Sequence, residues 1–280
     1  MQADTTTQHS SYANLTPYEC AIKYKNRDLL VRYGCATVAV ILTLIACWPY
    51  VLGEASWTRL LAAIPIVFVV VAVEFLLISR CSADFQGIVT HDCDPVKMLK
   101  VEDHLLGRIK RRPRRIQHLL IASQAAAVAG DAARSRQLLE TATATGKLSA
   151  GLKPMASNIR IGYAILEKDW PQVRSLRDEL ATYLPKSRGL LKAGIETIML
   201  FTDEALAVAE GDLQTAEKLL DKIDGTVKMP EQRASAAFRR AQLESLKGND
   251  AAARPYYERA RNEGGTCYFA YQAAEWLATH

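Results

Sequence analysis

Six bases crowd into eight positions: Arg108, Lys110, Arg111, Arg112, Arg114 and Arg115. Such a cluster attracts anions, and near an anionic leaflet each base is worth about 1 kcal/mol, screened by salt. The segment suits lipid headgroups, and it equally suits a solvated basic turn between two helices. Nucleic acid is not expected as a partner, because the cluster is short and no aromatic residue interleaves with it. His91, Asp92, Cys93 and Asp94 are all able to ligate metal, but no second Cys/His pair stands at zinc-site spacing, so no metal is expected. Asp203 and Glu204 are adjacent carboxylates that read as solvated helix surface. No glycine-rich phosphate loop and no G-x-S-x-G occurs, and the histidines form no motif. Neither catalytic residues nor cofactors are therefore expected, and the chain does not read as an enzyme.

The elements carrying these residues begin with two apolar runs, residues 33–52 and 60–78, each about the ~20 residues that cross a bilayer as helix. Glu74 is the one ionisable residue inside them and lies about one helical turn from an end, where it can snorkel to headgroups. Lys23, Lys25, Arg27 and Arg32 precede the first run, and many bases follow the second, whereas the connection holds only Arg59. That asymmetry predicts a multi-pass protein of the cell membrane with two spans and both termini cytoplasmic. Trp48 and Trp57 fall near the far interface. The six cysteines are scattered, Cys93 and Cys267 being far apart in sequence, and reduced thiols are expected.

The expected organisation is a flexible tail (1–15), a juxtamembrane helix (16–32), a transmembrane hairpin (33–82), a linker with a first helix and the basic segment (83–113), and a helical domain (114–280). Thr16 and Glu19 stand as in a capping box, with Pro17 in the first turn. Asp94 and Pro95 open another helix in the same way. No strand-like alternation follows, so the fold class is all-α. Four turns repeat: Gly130-Asp131, Lys168-Asp169, Gly211-Asp212 and Gly248-Asn249, at intervals of 38, 43 and 37 residues. Four residues beyond each stands a small or slim side chain (Ser135, Val173, Ala216, Ala253), and seven beyond an apolar one (Leu138, Leu176, Leu219, Tyr256). Eleven beyond are Ala142, Leu180, Ile223 and Ala260. These offsets share one helix face.

Residues 205–220 and 248–260 resemble the second half of a tetratricopeptide repeat, and the likeness extends over roughly 114–264. The intervals exceed that family's ~34 residues, and its first-helix Trp, Gly and Tyr signature is missing, so "tetratricopeptide-like helical hairpins" is the description the residues carry. The membrane hairpin followed by Asp92-Cys93-Asp94-Pro95 is also similar to membrane proteins of Gram-positive bacteria. The resemblance implies a cytoplasmic α-solenoid whose first helices line a groove, here Gln117, Gln124, Asn158, Phe201, Phe238 and Gln242. Phe201 and Phe238 fit a core role as well. The expected function is a membrane-anchored scaffold for a cytoplasmic protein or peptide, its oligomeric state open. The alternatives are a regulatory subunit of a larger membrane complex that uses its transmembrane hairpin, and an enzyme with an unrecognised site.

Overall fold

The computed structural model describes residues 9–51 and 57–280. The first eight residues of the expected tail, residue 52 of the first apolar run and residues 53–56 of the expected connection lie outside the described residues, as does the Trp57 side chain. Among the described residues the protein is all-helical, with 12 α-helices and no strand. The chain divides into two units, Ser10–Gly87 and Ile88–His280, the latter joined by His9.

The first unit holds α1 (Pro17–Val51) and most of α2 (Trp57–Thr90). The capping box closes as expected: the Thr16 backbone N–H donates to Glu19 Oε2 at 2.8 Å, and the Glu19 N–H donates to Thr16 Oγ1 at 3.3 Å. Pro17–Ile45 is long and apolar enough to cross a membrane, with mean hydropathy 1.8 and 6% of its most apolar stretch buried. Residues 10–15, read as part of a mobile tail, are instead packed. Tyr12 is fully buried, edge-on to Phe85, and Phe85 stacks on Tyr24 at 4.1 Å. Beside them Arg27 donates to Asp84 at 2.5 Å, and Ser11 donates to the same carboxylate through its N–H and its hydroxyl. Arg27, which the sequence offered only as a membrane-flanking charge, thus joins the base of α1 to the end of α2. Residues 83–90, expected as linker, continue α2.

The second unit starts with α3 (Pro95–Leu106) and continues as helix pairs: α4 (Arg112–Val128) with α5 (Ala132–Thr145), α6 (Lys153–Leu166) with α7 (Trp170–Ala181), α8 (Gly189–Glu210) with α9 (Leu213–Thr226), and α10 (Pro230–Leu246) with α11 (Asp250–Glu263). Helix α12 (Tyr268–Thr279) packs on both helices of the last pair. Each pair also meets the next, α4 touching α6 and α6 touching α8.

The four repeated turns are built alike. A residue in the left-handed region ends the first helix: Gly130 (φ 86°), Lys168 (58°), Gly211 (77°) and Gly248 (76°). The next residue caps the second helix, Asp131, Asp169, Asp212 and Asn249 each accepting from the N–H three positions on. Its own N–H returns 2.9 Å to a carbonyl five residues back. The chain thereby reverses within two residues, with its orphan helix-end groups satisfied. Ser135, Val173, Ala216 and Ala253 are all fully buried, as small residues must be where paired helices approach. At the next contact the register differs from expectation. In three of the four pairs the buried residue stands eight beyond the turn: Leu139, Leu220 and Tyr257 are buried, whereas Leu138 and Leu219 are half-buried and Tyr256 is exposed; only Leu176 keeps the expected place.

The ends of the second unit meet. Thr266 N–H donates to the Cys93 carbonyl at 2.8 Å and Thr266 Oγ1 to Asp94 Oδ1 at 2.7 Å. Cys93 and Cys267, distant in sequence, are therefore neighbours, both buried and both free thiols, with Cys267 Sγ donating to the Cys93 carbonyl at 3.7 Å.

Lys168 is exposed and alone of the four holds its turn without glycine's freedom. Lys168→Gly is expected to raise the stability of this unit by about 1 kcal/mol, and Asp169→Ala to lower it by about 1 kcal/mol. Urea unfolding of the full-length protein in detergent, followed by circular dichroism, checks both.

Candidate functional site

Helices α4, α6, α8 and α10 each turn a face toward a cavity of about 240 Å³, which Tyr268 and Phe269 of α12 close. A second cavity of about 730 Å³ lies beside it, lined by Trp170, Phe238, Gln242 and the half-exposed Tyr271 among others. Ile165, Leu166, Arg239 and Tyr268 belong to both cavities, so they form the wall between them.

Five of the six residues expected in a groove sit here. Gln124, Asn158 and Phe201 line the smaller cavity, and Phe238 and Gln242 the larger. Gln117 is exposed and lines neither. Phe238 is only 5% exposed, its ring within 6.3 Å of the rings of Tyr257, Tyr268 and Phe269. Its main part is therefore in the core, and one edge reaches the cavity.

None of the charged residues at this site stood among the expected groove residues. Glu204, read as solvated surface, is 2% exposed and bonded to Arg239. Arg239 also donates to the Phe201 carbonyl at 3.1 Å and lies over the Phe201 ring at 5.2 Å. Burial opposes the Arg239 charge, and Glu204 outweighs it. The adjacent Asp203 takes a two-pronged bond from Arg177 of α7, at 2.7 and 3.0 Å. The available signal was the 35-residue spacing of Glu204 and Arg239, about one repeat.

Glu231 stands in the first turn of α10 on the wall of the smaller cavity. It accepts no hydrogen bond from any described residue. Burial among helices pushes its carboxyl up to about 7, although Arg239 pulls the other way. A helix N-terminus favours an anion by about 0.3–1 kcal/mol, too little to offset that desolvation. Burial raises the Tyr268 phenol as well.

A second buried polar pair lies outside the cavities. His118 Nδ1 stands 2.8 Å from Glu102 Oε2, both residues being at most 1% exposed, and this joins α3 to α4. Burial raises the Glu102 carboxyl, with His118 opposing. In the basic segment, Arg115 donates to the carbonyls of Leu106 and Ile109 at 2.9 and 3.4 Å, so it caps the end of α3. Lys110, Arg111 and Arg112 are exposed. Glu74 is half-buried on α2. Among the described residues no group of three or more His, Cys, Asp or Glu could hold a metal ion.

Comparison with known proteins gives no match, either to a family model or to a curated protein. The cavities offer amide, hydroxyl, aromatic and aliphatic surface around one ion pair and one further carboxyl, an arrangement suited to binding.

Two predictions follow from the buried charges. Glu231 is neutral in both states below about pH 4.5; as pH rises from there toward 7 the unfolded chain ionises first and stability falls, and above 7 the full penalty remains. Glu231→Gln is expected to flatten that decline and to add up to about 3 kcal/mol at pH 8, read from urea unfolding between pH 4 and 8. Glu102→Ala, by removing the carboxyl bonded to His118 Nδ1, is expected to cost about 1–3 kcal/mol. The Glu102→Leu, His118→Phe double variant should recover much of that loss in the same assay.

Proposed function

We propose that the protein is a membrane-anchored interaction module: a two-span hairpin in the cell membrane carries a cytoplasmic, tetratricopeptide-like α-solenoid that binds a protein or peptide partner. The observation that carries this reading is the pair of cavities lined by the first helices of successive pairs, with aromatic and amide side chains at their rims. An extended or helical peptide laid across them would meet a pocket for one side chain and a broader aromatic shelf for others.

Support for the anchor comes from α1 and α2. Leu44 and Ile45 are each 63% exposed, and Phe68 and Phe75 each 70%, which is costly in water and favourable in lipid. The basic flanks argue for cytoplasmic termini. Lys110, Arg111 and Arg112 remain available to anionic headgroups, whereas Arg115 serves the α3–α4 corner.

Photo-crosslinking in cells tests the reading. A crosslinker at Gln242, exposed at the larger cavity, is expected to capture a defined cytoplasmic protein. The same crosslinker at Glu258, exposed on α11, is expected to capture little of it. Equal capture from both positions, or crosslinks only to membrane proteins, would contradict the proposal. Phe238→Ala is unsuitable as a control, because removing that core ring costs about 3–5 kcal/mol.

A further inference from the structure

The smaller cavity has an unequal charge. Arg239 is committed to Glu204 and to the Phe201 carbonyl, so that pair is neutral overall. Glu231 remains, facing a space of about 240 Å³ with no donor from the described residues. The N-terminus of α10 contributes about half a positive charge nearby, less than the full charge of an ionised carboxylate. Glu231 is half-buried, so its carboxylate meets solvent through the cavity, and Arg239, already bonded to Glu204, offsets its charge only in part; a cation entering the cavity would supply the pairing that the protein does not.

The rest of the wall narrows the kind of cation. Ile165, Ile198 and Phe201 give apolar surface for an alkyl stem, and Gln124, Asn158 and Ser235 add neutral acceptors from three helices. An ammonium on a flexible stem has three rotatable donors that suit acceptors spread over several helices. A guanidinium presents a fixed planar fork that suits one bidentate partner. A free metal ion would leave the apolar wall unused.

We propose that the smaller cavity is a pocket for a lysine side chain of the partner, its stem on Ile165, Ile198 and Phe201 and its ammonium paired with Glu231. This rests on the peptide-binding reading above and names the residue that the partner inserts. Glu231 is then the specificity-determining group.

The test uses the full-length protein in nanodiscs and three short capped peptides, acetyl-Ala-Lys-Ala-amide and its norleucine and Nε-acetyl-lysine analogues, with butylammonium as the free amine. Calorimetry at pH 8 is expected to show the lysine peptide binding at least tenfold tighter than either analogue. Glu231→Gln, which is expected to fold at least as well as the native chain, should remove that preference, and Glu231→Asp should retain part of it. Equal binding of the norleucine peptide, or a lysine preference that survives Glu231→Gln, would overturn the proposal. Butylammonium binding as tightly as the peptide would overturn the peptide source. Capture of a partner at Gln242 without any lysine preference would sink this pocket while leaving the interaction module standing. Lysine binding without a captured partner would do the reverse.

Discussion

The second unit depends on one backbone-to-backbone approach. A Cβ at Gly265, whose φ is +54°, would lie 2.3 Å from the Cys93 carbonyl oxygen, so only glycine fits. With no side chain in the way, Thr266 bonds the start of α3 through its N–H and its hydroxyl, and the buried Cys93 and Cys267 seal the contact. A row of helix pairs joined only to neighbours would have two free ends. Here the residues leading into α12 are fixed to those leading into α3. Tyr268 is thereby brought against Gly130 in the first turn, where a Cβ would stand 2.8 Å from its own. The cavities exist because that closure gives them a fifth wall.

Within the closed unit, polar groups join helices that apolar packing alone would let slide. Glu102 with His118 fixes α3 on α4, Arg177 with Asp203 fixes α7 on α8, and Arg239 with Glu204 fixes α10 on α8. Small residues after each turn permit close approach, and such surfaces specify register weakly. The largely buried Arg239–Glu204 pair specifies it more strongly, because a slip would leave either charge buried away from its partner. Glu231 breaks this pattern. It is half-buried on the cavity wall and accepts no hydrogen bond from any described residue, which is why a binding role attaches to it and not to the others.

Much of the fold was legible in sequence because it is locally encoded. The Asx caps, the glycines before them and the small residue four positions on act within one turn of helix, so the four junctions and the all-helical class could be read directly. The cavity-lining Gln124, Asn158, Phe201 and Gln242 could be placed by offset from those turns. What escaped were contacts set by tertiary closure. Cys93 and Cys267 are 174 residues apart, and no periodicity links them. Glu204 looked like one of two surface acids, since its partner Arg239 lies on another pair. Tyr257, like Leu139 and Leu220, is buried in place of the residue before it, and α12 supplies Trp276 for it to stack on at 4.3 Å. Tyr12, in a polar segment, is buried by an aromatic on α2 that only folding brings near.

Closure is the central claim, and native-state hydrogen exchange at the Thr266 amide tests it most directly. Its bond to Cys93 joins the two ends of the unit. If the unit is closed, that amide exchanges only with global unfolding, at the same free energy as the slowest amides of α10. Exchange at the rate of an open loop, while α10 stays protected, would show that α12 is not fixed to the start of α3 and would remove the fifth wall from both cavities.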